Sequence, residues 1–339
     1  MVRPEDQKRP ALIKDAPAEN FAQGILEVEL PEDQFGPKKQ GKVRDIWEVG
    51  NKLAIVSTDR KSAYDKTICT VPGTGAVLNL LSAWWFDRTG FMIPNHLIDV
   101  IHPNVTIARK MRIVLPVEVV WRSYLERSKT STSLYYNYAD LGRRNIYGID
   151  FKEGLKPNQA LPMGSVLTPT TKAESGHDLE LTEEQAREIV RIATGRDAWG
   201  EIVERTEKLY QFGVETCRKK GLIMSSTKYE LGIDEDGKLT LIDEVHTPDS
   251  SRFWQLDTYE ERFYSGEDPD NFDKEILRKF LAEYGFRGEG PIPIIPELVI
   301  SRMTEAYSWP FEILTGTKLP DPSVSEHAAK SIESYFKAA

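Results

Sequence analysis

Two carboxylates and a lysine lie on the arms of a predicted β-hairpin in the second half of the chain. Apolar and polar residues alternate on both arms, and Asp236-Gly237 is typical of the turn between them. A two-residue turn pairs Glu230 with Asp243, and a four-residue turn pairs Lys228 with Asp243. Because side chains alternate along a strand, Lys228, Glu230 and Asp243 share one face in either register. This arrangement suits Mg²⁺ with a nucleotide polyphosphate. The alternative is an ordinary cross-strand Lys–Asp pair on a solvated face.

A run of small hydroxyl and charged residues follows the hairpin and extends the candidate site. Asp249, Ser250 and Arg252 precede an aromatic pair, and together they can form a phosphate pocket with aromatic walls. Upstream, a predicted strand carries Glu118 and ends beside Arg122, whose guanidinium can bind phosphate or carboxylate through two hydrogen bonds. The alternative for these two residues is a structural Glu118–Arg122 pair.

A glycine-led turn near the start of the chain is a candidate for binding phosphate. Gly41, Lys42, Val43 and Arg44 open the first predicted hairpin, where backbone N–H groups and alternating cations can cover phosphates. The sequence has no GxxxxGK[ST] motif, so this segment is not a P-loop. The alternative is an ordinary turn.

Two polar segments outside the predicted elements are further candidates. The segment 167–178 contains Lys172 and Asp178 among many hydrogen-bonding groups. Ordering such a loop costs entropy, so we expect it to order over a ligand; the alternative is a surface loop that caps the next helix. The polar run 57–65 follows a predicted buried strand, where the scaffold holds loops in place, and its alternative is an Asx or ST turn.

Composition limits the classes of protein that the chain can belong to. Its 339 residues are 40% hydrophobic and 29% charged, which is ordinary for a soluble globular protein of one large domain or two. We expect no transmembrane helix or signal peptide, because no apolar run is long enough. The net charge of −9, without a long basic block, argues against a nucleic-acid partner. Cys69 and Cys217 show no metal spacing and suit a reducing cytoplasm.

The hydrophobic patterns predict a strand-rich front half and a helix-rich back half, which is typical of an α+β protein rather than a regular βαβ alternation. In chain order, the predicted elements are a strand–turn–strand over 41–57, a helix over 78–90, a strand over 113–121, a helix opened by a capping box at 182–185, a helix over 198–220, a strand over 222–224, the hairpin, a helix over 273–284 and a helical segment over 297–316 broken by Pro310.

Together these motifs resemble the phosphoribosylaminoimidazole-succinocarboxamide synthase (SAICAR synthetase) family. The match holds in order and spacing over roughly residues 38–315, and five motifs in order are much more specific than any one of them. The matching segments are GKVRDIWEV (41–49), STDRKSAYD (57–65), LTPTTKAESGHD (167–178), TKYELGID (227–234) and DEVHTPDSSRFW (243–254).

The resemblance implies an ATP-dependent ligase of de novo purine biosynthesis. In that family ATP phosphorylates the carboxylate of carboxyaminoimidazole ribotide (CAIR). The amine of L-aspartate then attacks the acyl phosphate and forms the amide of SAICAR. Such phosphoryl transfer needs neutralisation of charge and positioning of the reactants more than covalent help from the protein.

The resemblance also implies roles for individual residues. Those that would bind ATP are Gly41, Lys42, Val43, Arg44, Glu118, Lys172 and Lys228. Those that would hold the ribotide or close over the reactants are Arg122, Ser128, Asp178, Asp249, Ser250 and Arg252. The catalytic residues would be Lys228, Glu230 and Asp243, of which the two carboxylates would hold Mg²⁺.

The chain departs from the family pattern on the substrate side. Ser123 and Arg127 replace glycines, which permit close backbone approach, and this stretch is one residue longer. The residue that contacts the ribotide is therefore Ser128, Ser131 or Thr132. Ser226 stands where the family usually has an aspartate, so a hydrogen bond is kept and a charge is lost.

The implied fold is α+β, with a strand-rich N-terminal lobe, an α/β second lobe and ATP in the cleft between them. We place these lobes at 1–115 and 116–270, with a C-terminal helical segment, 271–339, packed on the second lobe. The leading hypothesis is a SAICAR synthetase that uses small-molecule substrates and has no nucleic-acid or membrane partner. One alternative is an amide ligase of the same fold with another carboxylate or amine, and another is a nucleotide-binding protein without ligase chemistry.

Overall fold

The chain folds into two compact units that each combine strands with helices. A computed structural model describes residues 17–21, 23–64, 66–172, 178–272, 275–322 and 324–338. The first unit comprises the described residues of Met1–Ala83, Leu97–Lys110 and Asp273–Ala339, and the second those of Trp84–His96 and Met111–Phe272. The predicted α+β class is confirmed.

The first unit is built on a five-stranded antiparallel sheet with the strand order β1-β2-β3-β7-β6. The strand–turn–strand predicted over 41–57 contains a two-residue turn at Gly50-Asn51 that joins β2 to β3, so that Val49 pairs with Lys52. Strands β4 and β5 form a separate antiparallel pair. The strands of this unit are β1 Lys39–Gln40, β2 Arg44–Val49, β3 Lys52–Ser57, β4 Arg60–Ala63, β5 Lys66–Thr70, β6 Leu97–His102 and β7 Val105–Arg109.

The second unit is built on a seven-stranded sheet around one long strand. This strand, β14, pairs with β9, β15, β16 and β8 at different points along its twelve residues. The strands are β8 Ile113–Val114, β9 Val117–Arg122, β10 Asn145–Ile146, β11 Ile149–Asp150, β12 Val166–Leu167, β13 Thr170–Thr171, β14 Leu222–Ile233, β15 Leu239–Ile242 and β16 Ser251–Gln255, of which β10 and β11 form a separate pair.

The described residues also form a 3₁₀-helix, Ala18–Phe21, and a π-helix, Tyr136–Asp140. Their α-helices are α1 Glu32–Phe35, α2 Thr74–Thr89, α3 Glu183–Thr194, α4 Trp199–Lys219, α5 Leu256–Ser265, α6 Glu275–Glu283, α7 Glu297–Thr315 and α8 Ser325–Ala338. The predicted capping box is confirmed, because the Thr182 hydroxyl accepts from the Gln185 backbone while the Gln185 side chain accepts from the Thr182 backbone. None of the helices in the described ranges is long and apolar enough to cross a membrane.

Helix α4 covers one face of the second unit's sheet and leaves the other face to the functional groups. The indole of Trp121 on β9 stacks on Tyr210 of α4, with ring centroids 6.2 Å apart. Its Nε1 donates to the hydroxyl of Thr206 at 3.1 Å. Trp121 pairs with Thr227 of β14, so the same face of β14 also lies toward the helix. Side chains one position along either strand therefore lie on the opposite face.

Packing corrects two predictions about secondary structure. The predicted strand over 113–121 is interrupted at Pro116, which cannot donate to a sheet, and forms β8 and β9. The helical segment near the C-terminus is not broken at Pro310, since α7 continues through it. Tyr307 and Phe311 are buried on either side of this proline, and their burial offsets the hydrogen bond that the proline cannot make.

The predicted packing of the C-terminal helical segment on the second lobe is wrong. Leu277 and Phe280 of α6 and Met303 of α7 share a core with Ile68 and Cys69 of the first unit. Burial of apolar surface is non-directional, so the sequence pattern of an amphipathic helix does not tell which core it will join. The predicted divisions at 115 and 270 stay predictions.

The last helix closes the core of the five-stranded sheet in the same unit. Ala328 and Ile332 of α8 are fully buried against Trp47 and its neighbours on β2, β3 and β7. This helix therefore belongs to the hydrophobic core of the first unit.

Replacing Ile332 with alanine should lower the free energy of unfolding by about 2–5 kcal/mol, because a cavity is left in this core. Ser334→Ala is the matched control, since that side chain on the same helix is exposed. Urea unfolding of both variants measures the difference. Equal stability of the two variants would show that α8 does not contribute to the core.

Candidate active site

The functional groups lie on the face of the sheet opposite α4. Lys228 pairs with Val120 and Tyr229 with Val119, so the even-numbered residues of β9 and β14 share one face. That face brings together Glu118 from β9 with Lys228 and Glu230 from β14. The prediction that alternation places Lys228 and Glu230 side by side is confirmed.

Ion pairs connect these three residues to a fourth from the neighbouring loop. The Lys228 ammonium donates to Glu230 Oε1 at 2.5 Å and to Glu118 Oε1 at 2.9 Å. The Lys172 ammonium donates to the other oxygen of Glu230, and the Thr170 hydroxyl donates to the other oxygen of Glu118 at 3.2 Å. Two ammonium groups therefore converge on the Glu230 carboxylate.

The electrostatics of the cluster follow from burying these charges together. Burial alone raises the pKa of Glu230, but the ammonium groups of Lys228 and Lys172 outweigh it and lower this pKa to about 2. Burial opposes the charge of Lys228, yet the surrounding carboxylates hold its pKa well above the ordinary value. Burial raises the pKa of Glu118 in spite of Lys228. Lys228 and Glu230 are thus both charged at neutral pH.

Asp243 joins the cluster, although the predicted register of the hairpin is wrong. Glu230 pairs with Ile242, and neither predicted pairing with Asp243 forms. The reason is the turn, whose five residues, 234–238, give a register between the two predicted ones. Asp243 comes directly after Ile242 and has a left-handed φ of 65°. The alternation of side chains along β15 therefore does not determine where the Asp243 side chain points. Its carboxylate lies close enough to raise the pKa of Lys228.

A buried imidazole supports the turn that follows Asp243. His246 is fully buried, and its Nε2 lies 2.6 Å from the hydroxyl of Tyr229 on β14. Burial lowers the pKa of His246 to about 3, so the ring is neutral at physiological pH. Gly213 of α4 lies directly against this ring, since a Cβ there would be 2.5 Å from its Cε1. This hydrogen bond was not predicted from the sequence.

Two arginines flank Ser226 in one row across three strands. Ser226 pairs with Arg122 of β9 on one side and with Arg252 of β16 on the other. Direct cross-strand partners share a face, so both arginines lie on the face that carries Lys228. The structure therefore brings the predicted ribotide-side arginines together around the position where the family usually has an aspartate.

The carboxylate beside Arg122 is Glu126, a residue that the sequence reading did not select. Glu126 Oε2 lies 3.6 Å from the Arg122 guanidinium, whose Nε donates to the Thr168 hydroxyl at 3.0 Å. Ser225 donates its hydroxyl to Glu126 Oε1 at 2.5 Å. Glu118 pairs with Lys228 instead, so the alternative of a Glu118–Arg122 pair is not what forms. No local pattern signalled this pair, because the chain from Ser123 to Glu126 is not helical.

The loop before β16 is tied to the sheet by its own hydroxyl groups. The Thr247 backbone N–H donates to the Ser250 hydroxyl at 3.1 Å, and the Asp249 N–H donates to the Thr247 hydroxyl at 3.3 Å. The Lys228 N–H donates to the Ser250 carbonyl at 2.8 Å. Asp249 and Ser250 are thereby held beside β14, next to the cluster.

The positions where glycine is replaced have ordinary backbone conformations. Neither Ser123 nor Arg127 has a left-handed φ. The Ser123 hydroxyl lies 2.7 Å from that of Tyr210, and the Arg127 guanidinium lies 3.3 Å from Asp268. The side chains that replace the glycines therefore have partners. The residue that contacts the ribotide stays a prediction, and the candidates are Ser128, Ser131 and Thr132.

Three predicted segments remain to be placed: the turn Gly41–Arg44, the segment 167–178 and the polar run 57–65. In the first unit, the turn Gly41–Arg44 joins β1 to β2 and is closed by the Gly41 N–H, which donates to the Arg44 carbonyl at 2.7 Å. Within the segment 167–178, Leu167 ends β12 and Thr170–Thr171 form β13, while residues 173–177 lie outside the described residues. Asp178, at its end, contributes to the raised pKa of Glu118. Asp65, in the polar run 57–65, also lies outside the described residues.

A family model, curated sequences and solved structures were compared with the chain, and all three comparisons match SAICAR synthetases. A model of the SAICAR synthetase family matches residues 38–290. The phosphoribosylaminoimidazole-succinocarboxamide synthase of Legionella pneumophila (strain Paris) is 42% identical over 297 residues, which are 86% of this chain and 91% of the relative. The chloroplastic enzyme of Arabidopsis thaliana is 40% identical over 282 residues, or 83% and 67% of the two chains. A SAICAR-synthase structure from Saccharomyces cerevisiae, complexed with SAICAR, is 32% identical with a TM-score of 0.72 and covers 87% of this chain and 99% of its own.

The lowered pKa of Glu230 predicts that the folded protein loses stability as the pH becomes acidic. Its ionised form stabilises the folded protein above the ordinary pKa of 4.5, and this contribution is lost as the pH falls towards about 2. The free energy of unfolding of the wild type should therefore fall by roughly 3 kcal/mol more than that of Glu230→Gln over this range, since one pKa unit corresponds to about 1.4 kcal/mol.

Urea unfolding from pH 5 to pH 2 measures this difference. Glu204→Gln is the control, because that exposed carboxylate pairs only at the surface with Lys208 and contributes little. Parallel pH curves for the wild type and Glu230→Gln would contradict the assigned charge state.

Proposed function

The chain belongs to the SAICAR synthetase family, and we propose that the cluster around Lys228 performs the ATP-dependent ligation of that family. The reaction joins L-aspartate to CAIR through an acyl phosphate in purine biosynthesis. The observation that carries the assignment of the cluster is the convergence of Lys228 and Lys172 on the buried Glu230 carboxylate. The family and its relatives do not favour a different substrate pair or a protein without ligase chemistry.

The lysines of the cluster suit the transfer of a phosphoryl group from ATP to the CAIR carboxylate. The phosphates and the carboxylate are all anions, so their approach requires positive charge at fixed positions. Glu230 and Glu118 hold the ammonium of Lys228 on the face of a rigid sheet. Lys172 reaches the same carboxylate from a loop. We assign Lys228 and Lys172 to the ATP phosphates, and Glu118 to the adenosine part of ATP.

The oxygen donors of the cluster fit a Mg²⁺ ion. The carboxylates of Glu118, Glu230 and Asp243 all act on the ammonium of Lys228, and the ammonium of Lys172 contacts Glu230 as well. Among the residues described, no three His, Cys, Asp or Glu side chains form a metal-binding group by themselves. Phosphate oxygens and water would therefore complete the coordination by Glu230 and Asp243, as Mg²⁺ prefers. When bound, the ion neutralises phosphate charge and orients the transferring group.

The row of Arg122, Ser226 and Arg252 suits the ribotide. Both guanidinium groups can bind the phosphate or the carboxylate of CAIR in a bidentate fork. The Saccharomyces cerevisiae structure is a complex with SAICAR, and we propose that this chain holds the same product at this row. Asp249 and Ser250 belong to the adjoining loop. Asp178 and one of the hydroxyls of 128–132 complete our proposed substrate contacts.

The turn of the first unit supplies a second set of groups for the nucleotide. We assign the turn residues Gly41, Lys42, Val43 and Arg44 to the ATP phosphates, because successive backbone N–H groups of a turn can bind anions. A reducing cytoplasm stays our prediction for the location of the protein, and the free, buried state of both cysteines supports it.

Purified protein should release ADP only when Mg²⁺-ATP, CAIR and L-aspartate are all present, with SAICAR detected by mass. Each substrate is left out in turn as the control. ADP release that does not depend on CAIR, or ligation of another carboxylate at a higher kcat/KM, would contradict this substrate assignment.

Lys228→Met should reduce kcat by about 100-fold or more, because one fixed charge near the transferring phosphoryl group is lost. Lys238→Met is the matched control, since Lys238 lies on the same hairpin with an exposed side chain. Steady-state kinetics with all three substrates measures the effect. Equal kcat values for the two variants would remove Lys228 from the catalytic site.

Arg252→Ala should raise the KM for CAIR about 10–100-fold and leave the KM for ATP nearly unchanged, because a hydrogen bond between charged groups contributes about 1.5–3 kcal/mol. Arg191→Ala, at an exposed position of α3, is the control. A raised KM for ATP, with that for CAIR unchanged, would place Arg252 on the nucleotide side.

A further inference from the structure

We propose that Arg60 is a positioning residue for ATP, which it serves by fixing the shape of the turn Gly41–Arg44. The inference rests on the proposed assignment of that turn to the ATP phosphates. Arg60 begins β4 and is fully buried, with an exposed fraction of 0%. It therefore acts on a ligand only through the groups that it holds.

The guanidinium of Arg60 binds the turn through backbone carbonyls. Its Nη2 donates to the Gly41 carbonyl at 3.0 Å, and its Nε lies 3.4 Å from the Lys42 carbonyl. Its Nη1 donates to the Leu26 carbonyl at 2.7 Å. One planar group thus connects two consecutive peptides of the turn to a neighbouring segment of the same unit.

A buried carboxylate fixes the guanidinium in this orientation. Asp45 has no exposed surface, and its Oδ1 lies 2.8 Å from Arg60 Nη2. Its Oδ2 accepts from the Val28 N–H at 2.9 Å. Each charge is paired, as burial requires, and the pair is anchored to backbone outside the turn. The guanidinium therefore has little freedom to move.

The next carbonyl of the turn is held from the same polar segment. Val43 accepts from the backbone N–H and from the hydroxyl of Thr58, both at 2.9 Å. The carbonyls of Gly41, Lys42 and Val43 are thus all bound by Thr58 and Arg60. These contacts account for the burial of the polar residues that follow β3. From the sequence alone, this segment was predicted only to be a loop that the scaffold holds in place.

Peptide geometry converts bound carbonyls into directed donors. In a trans peptide the carbonyl and the following N–H point in opposite directions, and the described residues contain no cis peptide. The N–H groups of Lys42 and Val43 therefore point away from the Arg60 guanidinium. The Lys42 side chain is exposed beside them. Such an arrangement of amides and a cation is suited to a phosphate.

Arg60→Lys tests the proposal while keeping a positive charge for Asp45. A single ammonium cannot donate to the carbonyls of Gly41, Lys42 and Leu26 and to Asp45 in the same geometry. We expect the KM for ATP to rise roughly tenfold, the change that about 1.4 kcal/mol of lost binding produces. The KM values for CAIR and L-aspartate should stay nearly unchanged. Hydrogen exchange of the peptide containing Gly41–Arg44 should become faster.

Asn20→Ala is the matched control for general loss of stability in the first unit. Asn20 is also buried, and its side chain donates to the carbonyls of Ile68 at 3.1 Å and Pro293 at 3.0 Å. We expect this variant to lower the Tm without raising the KM for ATP. An equal rise in this KM for both variants would overturn the proposal, as would an Arg60→Lys enzyme with a lowered Tm and an unchanged KM.

Lys42→Met separates this proposal from the assignment on which it rests. A raised KM for ATP in Lys42→Met, together with an unchanged KM in Arg60→Lys, overturns only the positioning role of Arg60. An unchanged KM in both variants overturns the assignment of the turn to ATP. A raised KM in both, with accelerated hydrogen exchange in Arg60→Lys, supports the proposal.

Discussion

The second unit is organised around the need to keep the Glu230 carboxylate charged inside the protein. A buried carboxylate is unstable unless cations and hydrogen-bond donors compensate for the lost water. Lys228 and Lys172 supply that compensation, and Lys228 in turn requires Glu118. The charges can be close only because β9 and β14 are adjacent and in register. The position of the strands is thus coupled to the charge balance of the site.

The two faces of this sheet have different physical tasks. On one face, Trp121 and Tyr210 stack, and apolar packing against α4 provides stability. On the other face, neighbouring positions carry the ammonium, carboxylate and guanidinium groups. Alternation along β14 assigns consecutive residues to the two tasks, so rigidity on one side holds the charged groups on the other. This arrangement favours precise placement of charge, which phosphoryl transfer needs.

The sequence allowed the prediction of features that depend on local pattern. Period-two alternation brought Lys228 and Glu230 together in either hairpin register, so that conclusion survived an error in the turn. The direction of Asp243 was beyond such reasoning, because a left-handed backbone interrupts the alternation. Glu126 was missed because only the path of the chain after β9 brings it back to Arg122. The C-terminal helices were assigned to the wrong core because amphipathic patterns do not name a partner.

The close contact between Gly213 and His246 couples two distant positions in the sequence. Any side chain at position 213 would occupy the volume of the imidazole, which is itself fixed by Tyr229. A larger residue on the helix therefore requires the histidine in the turn to give way, together with the methyl group of Met224, which the same Cβ would meet at 2.6 Å. The two sites should vary as a pair among natural sequences, and their effects in a double mutant should be strongly non-additive. A position on the helix thus restricts which sequences the turn after Asp243 can adopt.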